Sequence, residues 1–469
     1  MEPQQSPSRP TIPRPVRLGF ALILAAIAFW FFLAPACTSG RYAFTDPGLS
    51  DPSQPLQFAV RNHRQITDRY ADYCEKRIAS GVAETLDRWE IAATEWPLFG
   101  SGFYLWATLS LQEAYESDPD LFGGADDPEN EPRVYARRAI NAATALIVDP
   151  GHAHWVREHW GESEYLRREN CFYRMLLIAA LTSHRQLTGG NDEYLAILIE
   201  QIESLSAELV AAPTGLIDDY PRQCYPGDVV AAIREIHRAN ILLGRDDAAF
   251  LQTMRERLFR PAQVAENGLL PYAADSKSGT PYDPSRGCSN SYATDLSAEI
   301  WPSDARLWYQ AYTDDFWNAN WLVAGFREFP NGMGPSSYFD VDAGPVVGGL
   351  GAAATTFGLA AARANDATGH AQVLGAQSIV ASWPLPDGTL LLPYLVSDRK
   401  HAPHLGRVAM LYQMTRLAVA DAGVGKARVR RPACVYLGIL FQVVVGVMLV
   451  RWAIRIAFPK KKTPDHRAS

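Results

Sequence analysis

The chain has 469 residues, of which 48% are hydrophobic and 20% are charged. This length and composition exclude a disordered or fibrous protein and allow a deep core. The ends are basic: residues 1–36 have a formal charge of +2, and residues 426–469 have a formal charge of +9. Because the formal charge of the whole chain is −7, the residues between these ends carry −18. Such an acidic middle repels nucleic acid and anionic lipid headgroups, and it favours neutral, apolar or cationic small molecules as partners.

Two uncharged hydrophobic runs stand near the ends of the chain, at residues 18–36 and 432–450. An apolar helix of about 20 residues crosses the roughly 30 Å hydrocarbon core of a bilayer, so each run predicts a transmembrane helix. Two alternatives stay open. The first run is also compatible with cleavage or lipidation near Cys37. The second is also compatible with a hydrophobic helix packed on the protein.

Basic residues next to the two runs indicate the orientation of the chain. Three arginines precede the first run, so the positive-inside rule places the N-terminus in the cytoplasm, and a second span returns the C-terminus to that side. The prediction is a multi-pass protein of the cell membrane with residues 1–17 and 451–469 as cytoplasmic tails. The domain between the spans, residues 37–425, is expected on the outer side, in the periplasm or outside the cell.

The six cysteines show neither a CxxC pair nor the Cys/His spacing of a metal site. No metal and no other cofactor is therefore predicted. Four of them, Cys74, Cys171, Cys224 and Cys288, fall between the two runs. An even number in an exported domain permits disulfides, but spacing alone assigns no pairing.

Between the runs, the sequence predicts helices separated by turns rich in glycine, proline and aspartate. Some helices are amphipathic and highly charged, whereas others consist of apolar or small residues, a contrast expected for an outer and an inner layer. Helices of the second type are expected to start at six places, after Trp96-Pro97, Glu169-Asn170, Tyr225-Pro226, Cys288-Ser289, Gly344-Pro345 and Ala402-Pro403.

Each interval between these starts accommodates one helix down, one helix back and two connections. Six such hairpins predict an all-α fold, an (α/α)6 toroid or barrel flanked by the two membrane helices. No repeated sequence motif accompanies the structural period. A one-dimensional solenoid is the alternative fold.

If the six starts are real, the polar residues just before them share one end of the barrel. Each can act as a helix N-cap, because Asp, Asn and Ser accept backbone N–H bonds there. Together with neighbouring aromatic residues they also predict a pocket. The candidate catalytic residues are Asp228, Asp340, Asp342 and Cys224. The candidate substrate-binding residues are Glu95, Trp96, Asn170, Tyr220, Tyr225 and Cys288.

Two local patterns suggest proton chemistry. Asp340 and Asp342 are spaced i, i+2 in a loop, where one carboxylate can stay charged and raise the pKa of the other, as general acid and base work requires. Cys224 and Asp228 lie four residues apart around a Pro-Gly turn, where a thiol can act as a proton donor or nucleophile, or be a buried inert cysteine. No Ser-His-Asp order, GxSxG motif or phosphate loop is present.

The order of motifs from residue 95 to residue 363 resembles the linalool dehydratase/isomerase family. The resemblance is carried by WPLFGSGFYLWATLSL, RRENCFYRMLLIAALTSHRQLTGGNDEY, GLIDDYPRQCYPGDVVAAI and DVDAGPVVGGLGAAATTFGLAAARA. It implies an (α,α)6 barrel that hydrates, dehydrates or isomerises a small terpene alcohol without a cofactor. Of the two cysteines and one histidine used there, one cysteine falls on Cys224. The second falls near Asp218 and the histidine near Leu177, so altered chemistry on the same architecture is expected.

Three functional hypotheses follow. The first is a membrane-anchored, cofactor-independent lyase or isomerase that acts on a small apolar alcohol, with the bilayer as a further partner and homo-oligomers allowed. The second is a carbohydrate-active glycoside hydrolase or polysaccharide lyase, because helical toroids also host paired carboxylates. The third is a non-catalytic binding module tethered to the membrane.

Overall fold

The structure, a computed structural model, describes residues 13–425 and 429–459. The basic residues that helped to orient the chain at Arg9, Lys426, Arg428 and Lys460 to Lys462 lie outside the described residues. The fold is mainly helical with three small antiparallel sheets. The predicted predominance of helices is therefore confirmed.

Helices of more than two turns are labelled in chain order. They are α1 (Arg14–Thr45, with a π-helical turn at Phe29–Leu33), α2 (Gln57–Ala79), α3 (Trp96–Ser117), α4 (Arg137–Val148), α5 (Cys171–Thr188), α6 (Asp192–Ala211), α7 (Pro226–Leu242), α8 (Ala248–Leu258), α9 (Gly287–Ile300), α10 (Pro302–Phe316), α11 (Ala352–Ala364), α12 (Thr368–Ala381), α13 (Leu405–Thr415) and α14 (Ala433–Ala457). Shorter helices include Ile91–Thr94, His154–Trp160 and Leu391–Leu395.

Six of these helices form a closed inner ring. In cyclic order the ring is α3, α5, α7, α9, α11 and α13, and α13 packs back against α3. The intervening helices α2, α4, α6, α8, α10 and α12 form the outer layer. This closure differs from an open solenoid, in which the last repeat does not contact the first.

The inner helices all begin at one end of the ring, which we name the mouth. Their first turns contact one another around the ring: Gly227 lies against Ser289, Gly287 against Ala354, and Gly100 against Leu405. The inner helices are parallel because an outer helix returns the chain each time. Below the mouth the centre is filled by aromatic side chains such as Phe103, Trp106 and Tyr412, which are at most 1% exposed.

Five inner helices begin within three residues of the predicted places, at Trp96, Cys171, Pro226, Gly287 and Leu405. The start expected after Gly344-Pro345 is displaced to Ala352. The reason is a hairpin: Gly344 to Val347 form a strand, and Gly348 and Gly349 then adopt positive φ angles of 60° and 82° that interrupt a helix.

The strands pair into three antiparallel sheets around the mouth. They are β1 (Ala273–Ala274) with β2 (Pro281–Asp283), β3 (Trp317–Ala319) with β4 (Ala324–Phe326), and β5 (Ser337–Asp340) with β6 (Gly344–Val347) and β7 (Leu350–Gly351). In the β5–β6 hairpin Asp340 pairs with Gly344. Asp342 therefore sits in the tight turn of that hairpin.

The two terminal helices, α1 and α14, are long and apolar enough to cross a membrane, with mean hydropathies of 2.4 and 2.5. They pack against each other, and the C-terminal part of α1 also packs on the outer helix α12. Gly446 lies against Leu33, which allows the two helices to approach closely. Phe44 contacts Tyr436 with ring centroids 5.4 Å apart.

Candidate active site

Glu95 is the residue before inner helix α3, and only 7% of it is exposed. The Tyr220 hydroxyl donates a hydrogen bond to its Oε1 at 2.5 Å. Burial raises the pKa of Glu95 to about 8; the Tyr220 hydrogen bond lowers this pKa, and the nearby charges of Asp342 and Asp228 raise it. Glu95 is therefore largely protonated at neutral pH.

Asp228 occupies the first turn of α7, which starts at Pro226. Among the described residues no hydrogen bond contributes to the pKa of its carboxyl group, so capping does not explain its position. Burial, followed by the charge of Asp342, raises its pKa to about 7. Asp228 thus exists in both protonation states near neutral pH, as a general base or acid requires.

Asp342 completes the cluster from the turn of the β5–β6 hairpin. It is exposed at the outer edge of the mouth, and its Oδ2 accepts a hydrogen bond from the Tyr272 hydroxyl. Neighbouring protein atoms displace water from the carboxyl group, and this desolvation raises its pKa. The Tyr272 hydrogen bond lowers the pKa by a smaller amount. The structure therefore couples Glu95, Asp228 and Asp342 electrostatically.

Asp340 differs from its neighbour. Arg286 donates to its Oδ2 at 2.5 Å, and the Ala343 N–H donates to its Oδ1 at 2.6 Å. Burial would raise the pKa of Asp340, but these two hydrogen bonds and the guanidinium charge lower it overall. The hairpin thus holds one carboxyl group with a lowered pKa and one whose pKa is raised, first by desolvation and to a smaller extent by the charge of Asp340.

Arg286 connects this hairpin to the start of α9. Its Nε donates to Oε1 of the fully buried Glu328 at 2.8 Å, and the Cys288 thiol lies 3.1 Å from the same oxygen. The Arg286 guanidinium also lies 4.2 Å from the ring centroid of Tyr272. Cys288 is buried, and burial together with the Glu328 charge raises its pKa, so it stays a neutral thiol.

The DDYPRQCYPGD segment forms a tight loop before α7. Asp218 Oδ2 accepts from the Arg222 N–H at 2.7 Å, and Asp219 Oδ2 accepts from the Tyr225 N–H at 2.8 Å. Asp219 Oδ1 is buried without a hydrogen-bond partner among the residues described. Cys224 is fully buried below this loop, and burial followed by the neighbouring aspartates raises its pKa.

The remaining cysteines of the domain, Cys74, Cys171 and Cys288, are free, as is Cys224. No disulfide therefore joins the helices within the parts of the chain that the structure covers. In the same parts no group of three or more His, Cys, Asp or Glu side chains is arranged to hold a metal ion.

Aromatic side chains surround the carboxyl cluster. Tyr220, Tyr225 and Tyr272 form a continuous wall, with ring centroids 6.4 Å and then 5.3 Å apart. Tyr292 lies below, 5.7 Å from Phe357 between ring centroids. Its buried hydroxyl has no hydrogen-bond partner within the described structure. Burial raises the pKa of Tyr292, and the charge of Asp228 is the next largest cause.

Trp96 and Asn170, both predicted to bind substrate, lie at the starts of the inner helices α3 and α5. No contact among the described residues links either of them to the carboxyl cluster. Trp96 is half-buried as the first residue of α3. Asn170 is fully buried, in the left-handed region at φ 56°, and its Nδ2 donates to the Tyr165 carbonyl at 2.6 Å. Their assignment to substrate binding stays a prediction.

Sequence reasoning did not identify Tyr272 or Glu328, and it included Arg286 and Tyr292 only as the ends of the polar run 286–292 expected at the mouth. Arg286 and Tyr292 lie in the polar segment that begins α9, so proximity to a predicted helix start was the available signal. Tyr272 and Glu328 come from the β1 and β4 connections, and nothing in their local sequence indicates that they reach the mouth.

Comparisons with known proteins give little further information. No family model matches the chain, and no curated protein matches it. Among solved structures, the chain is similar to unsaturated glucuronyl hydrolase from Bacillus sp. GL1, a protein responsible for the degradation of glycosaminoglycan. The TM-score is 0.35 with 11% sequence identity, and the match covers 74% of this chain and 83% of that chain.

Proposed function

We propose that this protein is a cofactor-independent acid/base enzyme on an (α/α)6 toroid, a lyase or isomerase that removes or adds water at a small apolar alcohol. The observation that carries the proposal is the cluster of Glu95, Asp228 and Asp342, three carboxyl groups with raised pKa values beside one another at the mouth. Clusters of this kind are typical of active sites, because raised pKa values suit proton transfer and because burying Glu95 without a cationic partner does not stabilise the fold.

The two pKa values assign the roles. Protonated Glu95 donates its proton to the hydroxyl oxygen of the alcohol, so that the C–O bond breaks and water leaves. Deprotonated Asp228 removes a proton from the adjacent carbon, and the electron pair of that C–H bond forms the alkene. The alcohol is converted to an alkene and one water, with the proton on Asp228 returned to Glu95 through solvent. Hydration is the reverse.

The other residues of the mouth position these groups. Tyr220 fixes the Glu95 carboxyl group by hydrogen bonding to Oε1, which leaves Oε2 to carry the proton. Tyr272 orients Asp342, whose negative charge stabilises the positive charge that develops on the substrate carbon. Asp340 keeps the hairpin attached to Arg286. Cys224 and Cys288 are neutral thiols and serve as secondary proton donors.

The surroundings of Asp228 support an apolar substrate. Tyr292, Phe99 and Phe357 form an aromatic floor on the inner helices, with Phe99 6.1 Å from Tyr292 between ring centroids. An aromatic floor also stabilises a carbocation-like transition state through its negative faces. The resemblance to the linalool dehydratase/isomerase family agrees with this substrate class. The two terminal helices are proposed to anchor the domain on the outer side of the cell membrane.

Oxygen exchange tests the proposal. The full chain, solubilised in detergent, is incubated in H₂¹⁸O with a panel of small allylic and tertiary alcohols, and ¹⁸O incorporation and alkene formation are followed by mass spectrometry. We expect exchange that is lost in both Glu95→Gln and Asp228→Asn. The matched control is Asp68→Asn, an exposed carboxylate on α2, which should behave as wild type. A panel without any exchange, or exchange that survives Asp228→Asn, would contradict the mechanism.

A second candidate, a carbohydrate-active enzyme, is favoured by one observation. A groove of about 630 Å³, lined by Glu84 to Trp89 with His154 and Glu158, approaches the mouth. Trp89 is 63% exposed there and contacts His159, which in turn contacts Tyr220. Release of reducing sugar from glycosides or unsaturated uronic-acid disaccharides, abolished by Asp228→Asn, would establish this alternative over the alcohol reaction.

A further inference from the structure

We infer that the mouth of the ring rests on the lipid bilayer, so that the carboxyl cluster opens at the membrane surface and not toward bulk water. The contact is made by a half-rim of exposed apolar side chains that is continuous with the two terminal helices. We name it the lipid rim. It consists of Trp321, Leu322, Phe339, Val347, Leu392 and Leu395.

The terminal helices leave the domain at the mouth end. Trp383 lies two residues after Ala381, the last residue of outer helix α12. Because α12 runs opposite to α11, which begins at the mouth, Trp383 lies at the mouth level. Its indole N–H donates to the Phe31 carbonyl at 2.7 Å, and its ring contacts Phe32 and Phe441 with centroids 5.8 and 6.1 Å apart. This tryptophan therefore marks where both helices depart from the ring.

Beyond this level both helices continue away from the domain. The uncharged part of each helix beyond this level extends by roughly 20 Å from Phe31 to Leu18 and by roughly 14 Å from Phe441 to Val450, at about 1.5 Å per residue. Both lengths are shorter than the roughly 30 Å thickness of the hydrocarbon core. If the uncharged runs span the bilayer, the membrane surface therefore lies at the level of Trp383 or on its domain side, which places the mouth at the membrane. Tryptophan is enriched at such interfaces.

The lipid rim surrounds this end of the ring. Leu392 and Leu395 lie near Trp383, Phe339 and Val347 lie on the hairpin at the mouth, and Trp321 and Leu322 lie beside the start of α14, about 12 Å toward the domain along that helix. Trp321 is 76%, Phe339 72%, Val347 74% and Leu395 68% exposed. In water, such large exposed apolar side chains on neighbouring loops are unfavourable, and their clustering is a sign of an interaction surface.

Backbone hydrogen bonds attach the rim to the terminal helices. The Ala433 N–H, at the start of α14, donates to the Trp321 carbonyl at 2.8 Å, and the Cys434 N–H donates to the Leu322 carbonyl at 2.9 Å. The Leu391 N–H, next to Leu392, donates to the carbonyl of Ser382 at 2.8 Å, beside Trp383. The rim is therefore continuous with the helices that reach the bilayer, which identifies lipid as its partner.

A different sector of the mouth is polar. Glu84, Asp87, Arg88 and Glu158 line the groove that reaches Tyr220 through His159. The site thus lies between an apolar rim and a hydrated groove. If the proposed alcohol reaction takes place here, the substrate enters from the lipid and the released water leaves through the groove; this route rests on the proposed function. The contact with lipid itself does not depend on that reaction.

Depth-dependent quenching tests the contact. An environment-sensitive NBD label is placed at Val347→Cys and Leu395→Cys in the full chain, with exposed Cys37 and half-buried Cys434 replaced by serine. The matched controls are Ile241→Cys, at the opposite end of the ring, and Leu307→Cys, on outer helix α10. Both native residues are exposed, at 64% and 56%. The protein is reconstituted in phosphatidylcholine nanodiscs with acyl-chain nitroxide lipid.

We expect lipid quenching at positions 347 and 395 to be at least threefold greater than at positions 241 and 307. Equal, low quenching at all four positions would overturn the inference. The readout needs no turnover, so it succeeds or fails independently of the proposed reaction. A water-soluble quencher in the same samples should show the reverse order. If the labels at 347 and 395 are shielded from both quenchers, a second copy of the chain covers the rim in place of lipid, and this result would also overturn the inference.

Discussion

Carboxyl groups occur at both ends of the inner ring, but their surroundings differ. At the mouth, Glu95 is buried and Asp228 is half-buried, and neither has an arginine or lysine partner among the described side chains. Toward the other end, Arg416 donates to Asp295 at 2.6 Å and to Glu299 at 2.9 Å. Burial alone would raise the pKa of Glu299, but its arginine neighbours hold that pKa well below its usual value.

The comparison separates structural from chemical roles within one scaffold. The carboxylates of the lower network stay charged and bind the helices α7, α9 and α13 together through arginines. At the mouth, the pKa values of Glu95 and Asp228 are raised to about 8 and about 7, and Glu95 is buried without a cationic partner among the described residues. Removal of a group should therefore impair folding at one end of the ring and reaction at the other.

The largest expected effect is on turnover at the mouth. Asp228→Asn removes the proposed base and should lower the rate by about 10²–10⁴-fold, or roughly 3–5 kcal/mol in the barrier. Its thermal stability should change little, because no hydrogen bond from the described residues to the Asp228 carboxyl group would be lost. Rates and melting curves of the same preparation measure both. A folded variant with full activity would remove the distinction between the two ends.

The lower network should respond in the opposite way. Arg416→Met leaves Asp295 and part of the Glu299 charge unpaired in a buried site, and should reduce the free energy of unfolding by about 3–5 kcal/mol. Denaturant unfolding of the solubilised chain measures it. The control is Arg255→Met, which breaks the exposed pair with Asp304 and should cost about 1 kcal/mol or less. Equal effects of the two substitutions would show that the network is not structural.

The pH dependence of stability should also reveal the ionisation of Glu95 at the mouth. The pKa of Glu95 is raised from 4.5 to about 8 in the folded protein. A raised pKa contributes stability that is fully present below pH 4.5 and is lost as the pH rises through 8. Glu95→Gln cannot ionise, so its melting temperature should fall less than that of wild type between pH 5 and pH 9. Parallel curves for the two proteins would mean that Glu95 titrates normally.

The smallest expected effect concerns a single hydrogen bond. Tyr220→Phe removes the donor to Glu95, which should cost about 1 kcal/mol in stability. Since that hydrogen bond lowers the pKa of Glu95, its loss should move the alkaline limb of the pH–rate profile to higher pH. Tyr282→Phe, at an exposed tyrosine of β2, is the matched control. A limb that stays in place would exclude Glu95 as the acid.

Local sequence was sufficient to place two of the three carboxyl groups. Glu95 and Asp228 lie beside the Trp-Pro and Tyr-Pro pairs that begin inner helices, and proline at a first helical position is a local signal. The partnership of Arg286 with Glu328 could not be predicted, because it joins residues that come together only after the ring closes. The β5–β6 hairpin was missed because the glycine- and alanine-rich segment after it fits a helix, and the exact start depends on the sheet.

The β5–β6 hairpin also has a mechanical consequence. Its turn carries Asp342, while its strands carry Phe339 and Val347 on the lipid rim. If the rim follows the bilayer surface, a change in membrane thickness or fluidity displaces the same short element that holds the carboxyl group. Lipid composition would then tune the proton chemistry directly, and the membrane would act as a regulator of the enzyme without any soluble effector.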